Sequence, residues 1–471
     1  MTWREALVPA RMERVAVVAP RSCLRSALVE LAMRGQVELD PTPEAETATP
    51  AGAVTVDVTP MLAREPVDVA TASAQGQGDL VAGEVLLQRL FAGALERRGV
   101  AALTGWAPAE SLAPLQQALA PLGAAVVRLA PPRGVDPPTR LAGTGRRRSS
   151  LQPLVDTYGT IPYQDLDPTV IAGVAYVVMF GMMFGDVGQG LLLVAAGLLL
   201  RIGRPRRLAR FSRAWLFVTG AGIAATAFGF AYGELFGPTG VLTPLWLSPT
   251  QDPVQLLLAA LAVGAVLLAV AYALGTINRW REGGWALALY APSGVAGIGL
   301  FVGLGAVAGG LYAGAGWLLA IGVGVWLVGL ALAFIGLLVA AGGGGAGAAQ
   351  ALVELFDVVL RVGTNLLSFA RLAAFGLAHA AVLALVWAAT ANLWGAGAVG
   401  VVAGAVVFVV GNVAAFALEA LVAAVQALRL EYYELFSRIF LAEGRPFRPW
   451  QVAVAPAGAP VEAVVRREIR P

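Results

Sequence analysis

The sequence predicts a mainly α-helical membrane protein, in which a cytoplasmic α/β domain precedes eight transmembrane helices and the final helices are long. Hydrophobic residues make up 58% of the 471-residue chain and charged residues 13%, and the mean hydropathy is +0.73. Soluble globular proteins carry about 25% charged residues. The apolar residues concentrate after Pro168. We therefore expect a soluble domain over residues 1–167, a transmembrane domain over 168–430 and a cytoplasmic tail over 431–471.

Basic residues, cysteine and the amino-terminal stretch limit the classes of function. All 33 basic residues are arginine, and with the abundant alanine and glycine this usage is typical of a GC-rich bacterial genome. The first residues lack a continuous apolar core behind a basic leader, so no cleavable signal peptide is predicted and the soluble domain should stay in the cytoplasm. The single cysteine, Cys23, excludes an internal disulfide and offers no metal cluster. We expect no cofactor, no metal and a location in the bacterial inner membrane.

The soluble domain shows a strand–helix–strand pattern twice. In the first unit, VAVVAP predicts a strand, the next segment a helix that ends at Gly35, and QVEL a second strand. Pro41–Gly83, rich in Pro, Thr, Ala, Gln and Gly, predicts a linker. A helix over Glu84–Arg98 follows. The second unit has a strand in VAALTGWAP, a helix over Ala109–Leu122 and a strand in AAVVRLA, and a proline-rich basic linker closes the domain.

The first apolar segment, Pro168–Arg201, is interrupted by MFGMMFGDVGQG. A single helix over its roughly 33 residues would be about 50 Å long, which exceeds the roughly 30 Å hydrocarbon core. The sequence predicts a hairpin that breaks near Asp186–Gly190. The next segment, RIGRPRRLARFSR, holds six arginines and should face the cytoplasm. A single kinked helix would instead give seven crossings and put the two termini on opposite sides.

Loop charges orient the remaining spans. Leu235–Asp252 has no arginine and includes Trp246, a residue type common at membrane interfaces, so this loop should lie outside. NRWREGG and the glycine run Gly342–Gly345 should lie inside. Eight crossings with both termini in the cytoplasm satisfy every loop. The six later spans are about Ala214–Tyr232, Val254–Ile277, Trp285–Gly309, Trp317–Ala341, Leu366–Thr390 and Ala398–Leu428.

An arginine and the only histidine of the chain lie inside the apolar stretch Glu354–Thr390. Burying a guanidinium in hydrocarbon costs at least about 3 kcal/mol, so such an arginine usually has a partner or a function. His379 should lie about 12 Å further out than Arg371 along one helix, and Arg429 about 15 Å further in than Glu419 along the next. His379 and Glu419 thus fall in the outer half of the membrane, and Arg371 lies inward of both.

Polar groups gather toward the inner end of these two spans. An intramembrane arginine with protonatable groups outside and polar groups inside is what two offset aqueous half-channels, separated by a fixed positive charge, require. Alternatively, Arg371 could snorkel to the interface or form a static ion pair with Glu419, and His379 could be an interhelical hydrogen bonder. Besides Asp357, the inner polar residues are the candidates for channel lining: Glu354, Asn365, Ser368 and Gln426.

Three segments together resemble a known family: MFGMMFGDVGQG, SFARLAAFGLAHA and VQALRLEYYELFSRIFLAEGRPFRPW. They are similar to the signature segments of membrane subunit a, also called subunit I, of V-type and A-type rotary ATPases. The resemblance covers about Tyr158–Trp450, and ARMERVAVVAP and LTGWAPAESL are similar to the cytoplasmic lobe of that family. It implies a non-catalytic stator subunit of a rotary motor that cups a ring of proteolipid subunits, the c-ring. It also implies central and peripheral stalk partners and transport of H⁺ or Na⁺.

The resemblance also implies roles for individual residues. Arg371 would face the carboxylate of the ring, and Arg429 would be the second arginine of the pair. Glu419 and His379 match half-channel positions, and Asp357 falls where the family has an acidic residue. The sequence contains no GxxxxGK[ST] phosphate-binding segment, so ATP chemistry would belong to partner subunits.

Two features depart from the family pattern. Gln189 stands where histidine or tyrosine is common, so the glycines of MFGMMFGDVGQG are interpreted as helix-packing residues and Asp186 as a cap. The soluble domain lacks the long helical hairpin that usually separates the two lobes, which puts the attachment of peripheral stalks at such an arm in doubt. The residues of this structural membrane motif are Gly181, Gly185, Asp186 and Gly188.

A proton-coupled secondary transporter is the alternative function. It would use Arg371, His379 and Glu419 as a substrate and proton site. Such transporters often consist of two similar halves, and no convincing internal repeat is present in the sequence. A purely structural membrane anchor would tolerate apolar residues at Glu419 and His379.

Overall fold

The computed structural model divides the chain into two compact units. One comprises the described residues of Pro9–Leu141 and Gly444–Pro471, and the other those of Ala142–Glu443. Parts of the predicted basic linker, of the arginine-rich segment after Ile202 and of the carboxyl-terminal tail lie outside the described residues. The structure describes residues 9–40, 59–132, 134–140, 155, 157, 159–203, 211–212, 214–395, 397–440 and 444–455.

The smaller unit is built on one antiparallel sheet. Its two long strands pair along their whole lengths, from Met12 with Pro108 to Pro20 with Val100. The strands of both predicted strand–helix–strand units share this sheet, whose order is β2-β5-β1-β6 with β4 on β5. The strands are β1 (Met12–Pro20), β2 (Glu38–Leu39), β4 (Leu95–Arg97), β5 (Val100–Pro108) and β6 (Ala125–Leu129), and β3 (Met61–Leu62) lies in a second sheet.

Apolar residues of β1 and β5 form the core of this unit with residues of three helices. Helix α1 (Leu24–Arg34) ends at Gly35, whose φ of 56° is a conformation that favours glycine. The predicted helix over Ala109–Leu122 is α-helical only at its centre, α4 (Leu112–Leu119), with a 3₁₀ turn at each end. The fully buried core residues include Val15, Val17, Leu28, Leu103 and Leu115.

The linker predicted over Pro41–Gly83 is wrong in its second half, while residues 41–58 lie outside the described residues. After β3 come helices α2 (Val69–Ala74) and α3 (Gly78–Ala92), so the helix predicted over Glu84–Arg98 begins and ends six residues earlier. The small residues of this segment led to the linker prediction. They pack closely against another segment of the chain, which composition alone does not reveal. A Cβ on Gly83 would lie 1.9 Å from the carbonyl oxygen of Met61 in β3.

The membrane unit begins with a helical hairpin, α5 (Thr169–Met183) and α6 (Val187–Ile202), which packs on α7 (Trp215–Tyr232). Later residues of α5 contact later residues of α7, whereas later residues of α6 contact earlier residues of α7. Helices α5 and α6 therefore run in opposite directions. Each is about 23 Å long. The break lies at Phe184–Asp186, slightly before the predicted position, because Gly188 and Gly190 are helical. The contacts pair Tyr176 with Phe217, Gly181 with Ala224, Gly190 with Thr226 and Gly197 with Thr219.

Six helical segments in the described part of the chain are long and apolar enough to span a bilayer, in addition to the two shorter helices of the hairpin. The structure is thus mainly helical, as predicted, with a small α/β region. After α7 these segments contain α8 (Pro253–Tyr290), α9 (Val295–Ala313), α10 (Gly316–Ala340), α11 (Gly344–Ser368), α12 (Ala370–Trp394) and α13 (Gly397–Leu430).

Two predictions about this unit are wrong. NRWREGG is not a loop, because α8 stays helical until Gly283 and Gly284 interrupt it. Arg279 is buried there, with its guanidinium 2.6 Å from Glu282. The glycine run Gly342–Gly345 is also not a linker throughout, because α11 begins at Gly344 and ends at Ser368, directly before α12. Helix α11 is amphipathic and rich in exposed polar residues, so a search for continuous apolar runs misses it.

Candidate functional site

Arg371 lies in the first turn of α12, where it connects two other segments. Its Nε donates to the carbonyl oxygen of Ser368 at 3.1 Å, and its Nη2 lies 3.5 Å from Oε1 of Glu434. The side chain is 26% exposed, and its Nη1 has no hydrogen-bond partner within the described residues. One face of the guanidinium is therefore bonded, while Nη1 retains hydrogen-bonding capacity.

Glu434 belongs to a π-helical turn, Glu431–Phe436, that continues α13. With the amide of Asn365 oriented to satisfy both of its groups, its nitrogen donates to Oε2 of Glu434 at 3.0 Å, and its oxygen accepts from Nη2 of Arg438 at 2.6 Å. The guanidinium of Arg438 in turn lies over the ring of Tyr272, 5.6 Å from its centroid. The carboxylate beside Arg371 is therefore also held by Asn365 of α11, which Arg438 orients in turn.

Arg371 and Arg429 face the same open cleft. The cleft has a volume of about 560 Å³ and is lined by Ser368, Arg371, Arg429, Tyr433 and Glu434. Arg429 is exposed, and its positive charge acts directly on Arg371. Two guanidinium groups and one carboxylate leave the cleft with excess positive charge. Such a cleft favours an anionic group as its partner.

His379 and Glu419 form a second polar site between α12 and α13. Nδ1 of the histidine lies 2.5 Å from Oε2 of the glutamate. His379 is 3% exposed, and its ring lies 4.7 Å from that of Phe184. The pair lies eight residues beyond Arg371, about 12 Å along α12. The alternative in which Arg371 pairs with Glu419 is wrong: Glu419 lies at the level of His379, and Glu434 is the partner of Arg371.

Asp186 lies in the turn of the hairpin and is fully buried. Its carboxylate accepts from the backbone N–H of Gln189 at 2.8 Å, which caps α6, and from that of Gly237 at 2.9 Å. The side chain of Gln189 donates to Asn412 of α13 at 3.3 Å. Asp186 thus holds the hairpin, the chain after α7 and the start of α6 in one arrangement.

Sequence reasoning missed Glu234 and Glu434. Glu234 follows the end of α7 and is 3% exposed, and the charges of Asp186 and Glu419 both act on it. Its position at the end of an apolar span resembles that of an ordinary interfacial residue, and Glu434 lies in a polar tail segment. The one signal in the sequence is a carboxylate directly beside an apolar span.

Comparisons with known proteins show which family this chain is similar to. The model of the V-type ATPase 116 kDa subunit family matches residues 92–224. The A-type ATP synthase subunit I of Thermococcus kodakarensis is 27% identical over 372 residues, which cover 74% of this chain and 54% of that protein. The chain is similar to the subunit I family of V-type and A-type ATPases.

Two further members of the subunit I family give the range of similarity. The A-type ATP synthase subunit I of Pyrococcus horikoshii is 30% identical over 318 residues, covering 64% of this chain and 46% of that protein. The V-type ATP synthase subunit I 2 of Treponema pallidum is 41% identical over 106 residues, covering 22% of this chain and 23% of that protein. The chain spans about half the length of the Thermococcus kodakarensis and Pyrococcus horikoshii proteins.

The glycines of the segment MFGMMFGDVGQG, which were interpreted as packing residues, lie against α7 and the chain after it. A Cβ on Gly181 would lie 2.6 Å from the Cβ of Ala224, and one on Gly185 2.6 Å from the ring of Tyr232. A Cβ on Gly188 would lie 2.4 Å from the ring of Phe236. Any larger residue at the two helical glycines, 181 and 188, would push the hairpin away from its neighbours.

The remaining candidates lie apart from the arginine cleft or at its edge. Asp357 forms an exposed ion pair with Arg361 at 2.6 Å, and Glu354 accepts from Gln350 at 2.9 Å. Both carboxylates lie on the exposed face of α11. Gln426 lies on α13, and its Oε1 is buried without a hydrogen-bond partner in the described part of the chain. No group of three or more His, Cys, Asp or Glu among the described residues is arranged to hold a metal ion.

Proposed function

We propose that this chain is the ion-translocating stator subunit of a rotary V/A-type ATPase. It holds no catalytic site for ATP, which is hydrolysed or synthesised by partner subunits. The relatives, A-type and V-type ATP synthase subunits I, support this assignment. The principal support from geometry is the arrangement of two polar sites on the same pair of helices, the His379–Glu419 pair and the arginine cleft.

The two sites suit two half-channels that open on opposite sides of the membrane. In the outer one, protons reach the buried His379–Glu419 pair and pass from it to a carboxylate of the rotating proteolipid ring. In the inner one, the ring carboxylate reaches the cleft that holds Arg371 and Arg429 and releases its proton there. A buried carboxylate loses its proton readily beside a positive charge. The arginine also prevents protons from passing directly between the half-channels.

Glu434 gives Arg371 a resting partner. At 3.5 Å the ion pair is longer than a tight bidentate pair, and the guanidinium lines the open cleft beside Glu434. A ring carboxylate therefore binds by adding to or replacing the contact with Glu434. The guanidinium does not have to be desolvated anew for each ring subunit.

The orientation in the membrane follows from the loop charges. Eight crossings, the two hairpin helices included, place residues 1–167 and 431–471 in the cytoplasm of a bacterium. There the α/β unit meets the central and peripheral stalk subunits. Because the long helical arm of the family is absent from the sequence, the stalks attach close to the membrane surface.

Replacement of Arg371 by alanine tests the proposal in the assembled complex in lipid vesicles. We expect ATP-driven ion uptake to be abolished while ring, stalk and head subunits still co-purify. Arg128→Ala, which removes an exposed arginine of the α/β unit, is the matched control and should pump normally. Normal pumping by Arg371→Ala would refute the proposed function.

A further inference from the structure

Glu234 is held rigidly at the point where α7 ends. Gly233 adopts a φ of 74° and terminates the helix. The backbone N–H of Glu234 donates to the carbonyl oxygen of Gly229, and its own carbonyl oxygen accepts from the N–H of Val187 at 3.0 Å. These bonds place the residue beside the first turn of α6. The side chain is 3% exposed, and its Oε2 is buried with no hydrogen-bond partner within the described residues.

The groups around Glu234 come from three other segments. Asp186 belongs to the hairpin turn and Glu419 to α13, while Tyr232 lies on the last turn of α7. His379 of α12 lies behind Glu419. Burial, and then the charges of Asp186 and Glu419, together raise the pKa of the Glu234 carboxyl to about 8. Glu234 therefore carries a proton at neutral pH and releases it under mild conditions.

The three carboxyl groups of Asp186, Glu419 and Glu234 differ in their hydrogen-bond partners. Asp186 is bonded by two backbone N–H groups, and Glu419 is bonded to His379. Glu234 has a buried oxygen with no such partner in the described part of the chain. A carboxyl that is buried without full hydrogen bonding destabilises the fold. An apolar side chain at this position would make the fold more stable than a carboxyl does.

Two further buried polar atoms of this region have unused hydrogen-bonding capacity. Nε2 of His379 and Oε1 of Gln189 are buried without partners within the described residues. Buried water molecules bind where several such atoms are present. Water can therefore link Glu234 with the histidine pair, and the exposed residue Pro238 lies only four positions further along the chain.

We propose that Glu234 is a proton-binding residue that passes protons between the outer aqueous side and the His379–Glu419 pair. This inference rests on the proposed function and adds the outermost residue of its ion path. In the transfer, the O–H bond of Glu234 breaks and the proton forms an O–H bond on the carboxylate of Glu419. The carboxylate left on Glu234 takes a new proton from a hydronium ion, which becomes water. The ion carried along this path is H⁺.

The test uses the assembled complex in lipid vesicles, with ATP-driven proton uptake followed by a pH-sensitive dye and ATP hydrolysis measured in parallel. Glu234→Gln keeps the size of the side chain and removes its titration. We expect proton uptake to fall at least about tenfold, the lower range for loss of a proton-transfer group, while the complex still assembles. Asp252→Asn is the control, because Asp252 lies in the same loop and is partly exposed, and it should pump normally.

The pH profile separates proton transfer from a structural role. Glu234→Asp keeps a carboxyl but shortens it by one methylene, so we expect reduced uptake with a shifted pH profile and unchanged assembly. This variant also decides the matter if Glu234→Gln does not assemble. Wild-type uptake with a wild-type pH profile in either variant would overturn the inference. If Arg371→Ala is inactive in the same assay, that failure concerns Glu234 alone; if Arg371→Ala pumps normally, the proposed function itself fails.

Discussion

Replacement of Asp186 distinguishes a capping role from an ion-binding role. The carboxylate accepts two buried backbone hydrogen bonds, from Gln189 at 2.8 Å and from Gly237 at 2.9 Å. A hydrogen bond to a charged acceptor contributes about 1.5–3 kcal/mol, so Asp186→Ala should lower the free energy of unfolding by about 3–5 kcal/mol. Asp186→Asn keeps one acceptor oxygen and should cost about half as much. Relief of repulsion with Glu234 offsets little, because the pKa of that carboxyl is raised to about 8 and it is mostly neutral at pH 7.

The assay is denaturant titration of the purified subunit in detergent micelles, with helical content as the signal. Asp252→Ala is the matched control. Asp252 is also the N-cap of an apolar helix, but its side chain makes no capping bond within the described residues. Its replacement should change the free energy of unfolding by less than about 0.5 kcal/mol.

The capping role predicts that stability and ion transport fall together across the Asp186 variants. If Asp186→Ala is as stable as Asp252→Ala, the worked energies are wrong. If Asp186→Asn keeps full stability but stops ion transport, the carboxylate acts on the ion itself and its interpretation as a cap fails.

Three further replacements test other contacts. Glu434→Gln removes a partly exposed ion pair with Arg371 worth about 1 kcal/mol, so the rate of ATP-driven ion uptake should fall about fivefold. Gly222→Ala would put a Cβ 2.6 Å from a backbone nitrogen of α6 and should lower the free energy of unfolding by about 1–3 kcal/mol. Burial, then Glu282, raises the pKa of Asp165 from its ordinary 3.8 to about 8. A raised folded-state pKa contributes stability at low pH that is lost as the pH rises toward 8, and Asp165→Asn should not show this loss in unfolding titrations between pH 5 and 9.

Each of these results has a contrary outcome. Unchanged ATP-driven ion uptake by Glu434→Gln would mean that other groups hold Arg371 in place. For Gly222, the control is Gly305→Ala, whose Cβ would meet no atom within 4 Å; equal effects of the two replacements would contradict the packing argument. Parallel pH curves for wild type and Asp165→Asn would show that Asp165 does not titrate in the folded protein.

Residues that stand out against an apolar background could be found from the sequence. Arg371, His379 and Glu419 were identified because a charge within an apolar run is visible in one dimension and is costly there. Glu234 and Glu434 were not, because each lies at the edge of a polar segment. Their burial depends on helices that are distant in the chain.

The sequence by itself determined that this chain is a helical membrane protein with a small α/β domain, that Gly35 ends a helix and that Arg371 lies within an apolar span. Periodicity, composition and backbone preference are local properties, so they can be read from neighbouring residues. Only the tertiary structure decided that Glu434 rather than Glu419 pairs with Arg371, that α11 is a separate amphipathic helix and that Glu234 is buried. His379 and Glu419 are 40 positions apart, and such pairs depend on which helix faces meet. The physical reason is that burial and ion pairing are set by packing between distant segments, which no local pattern encodes.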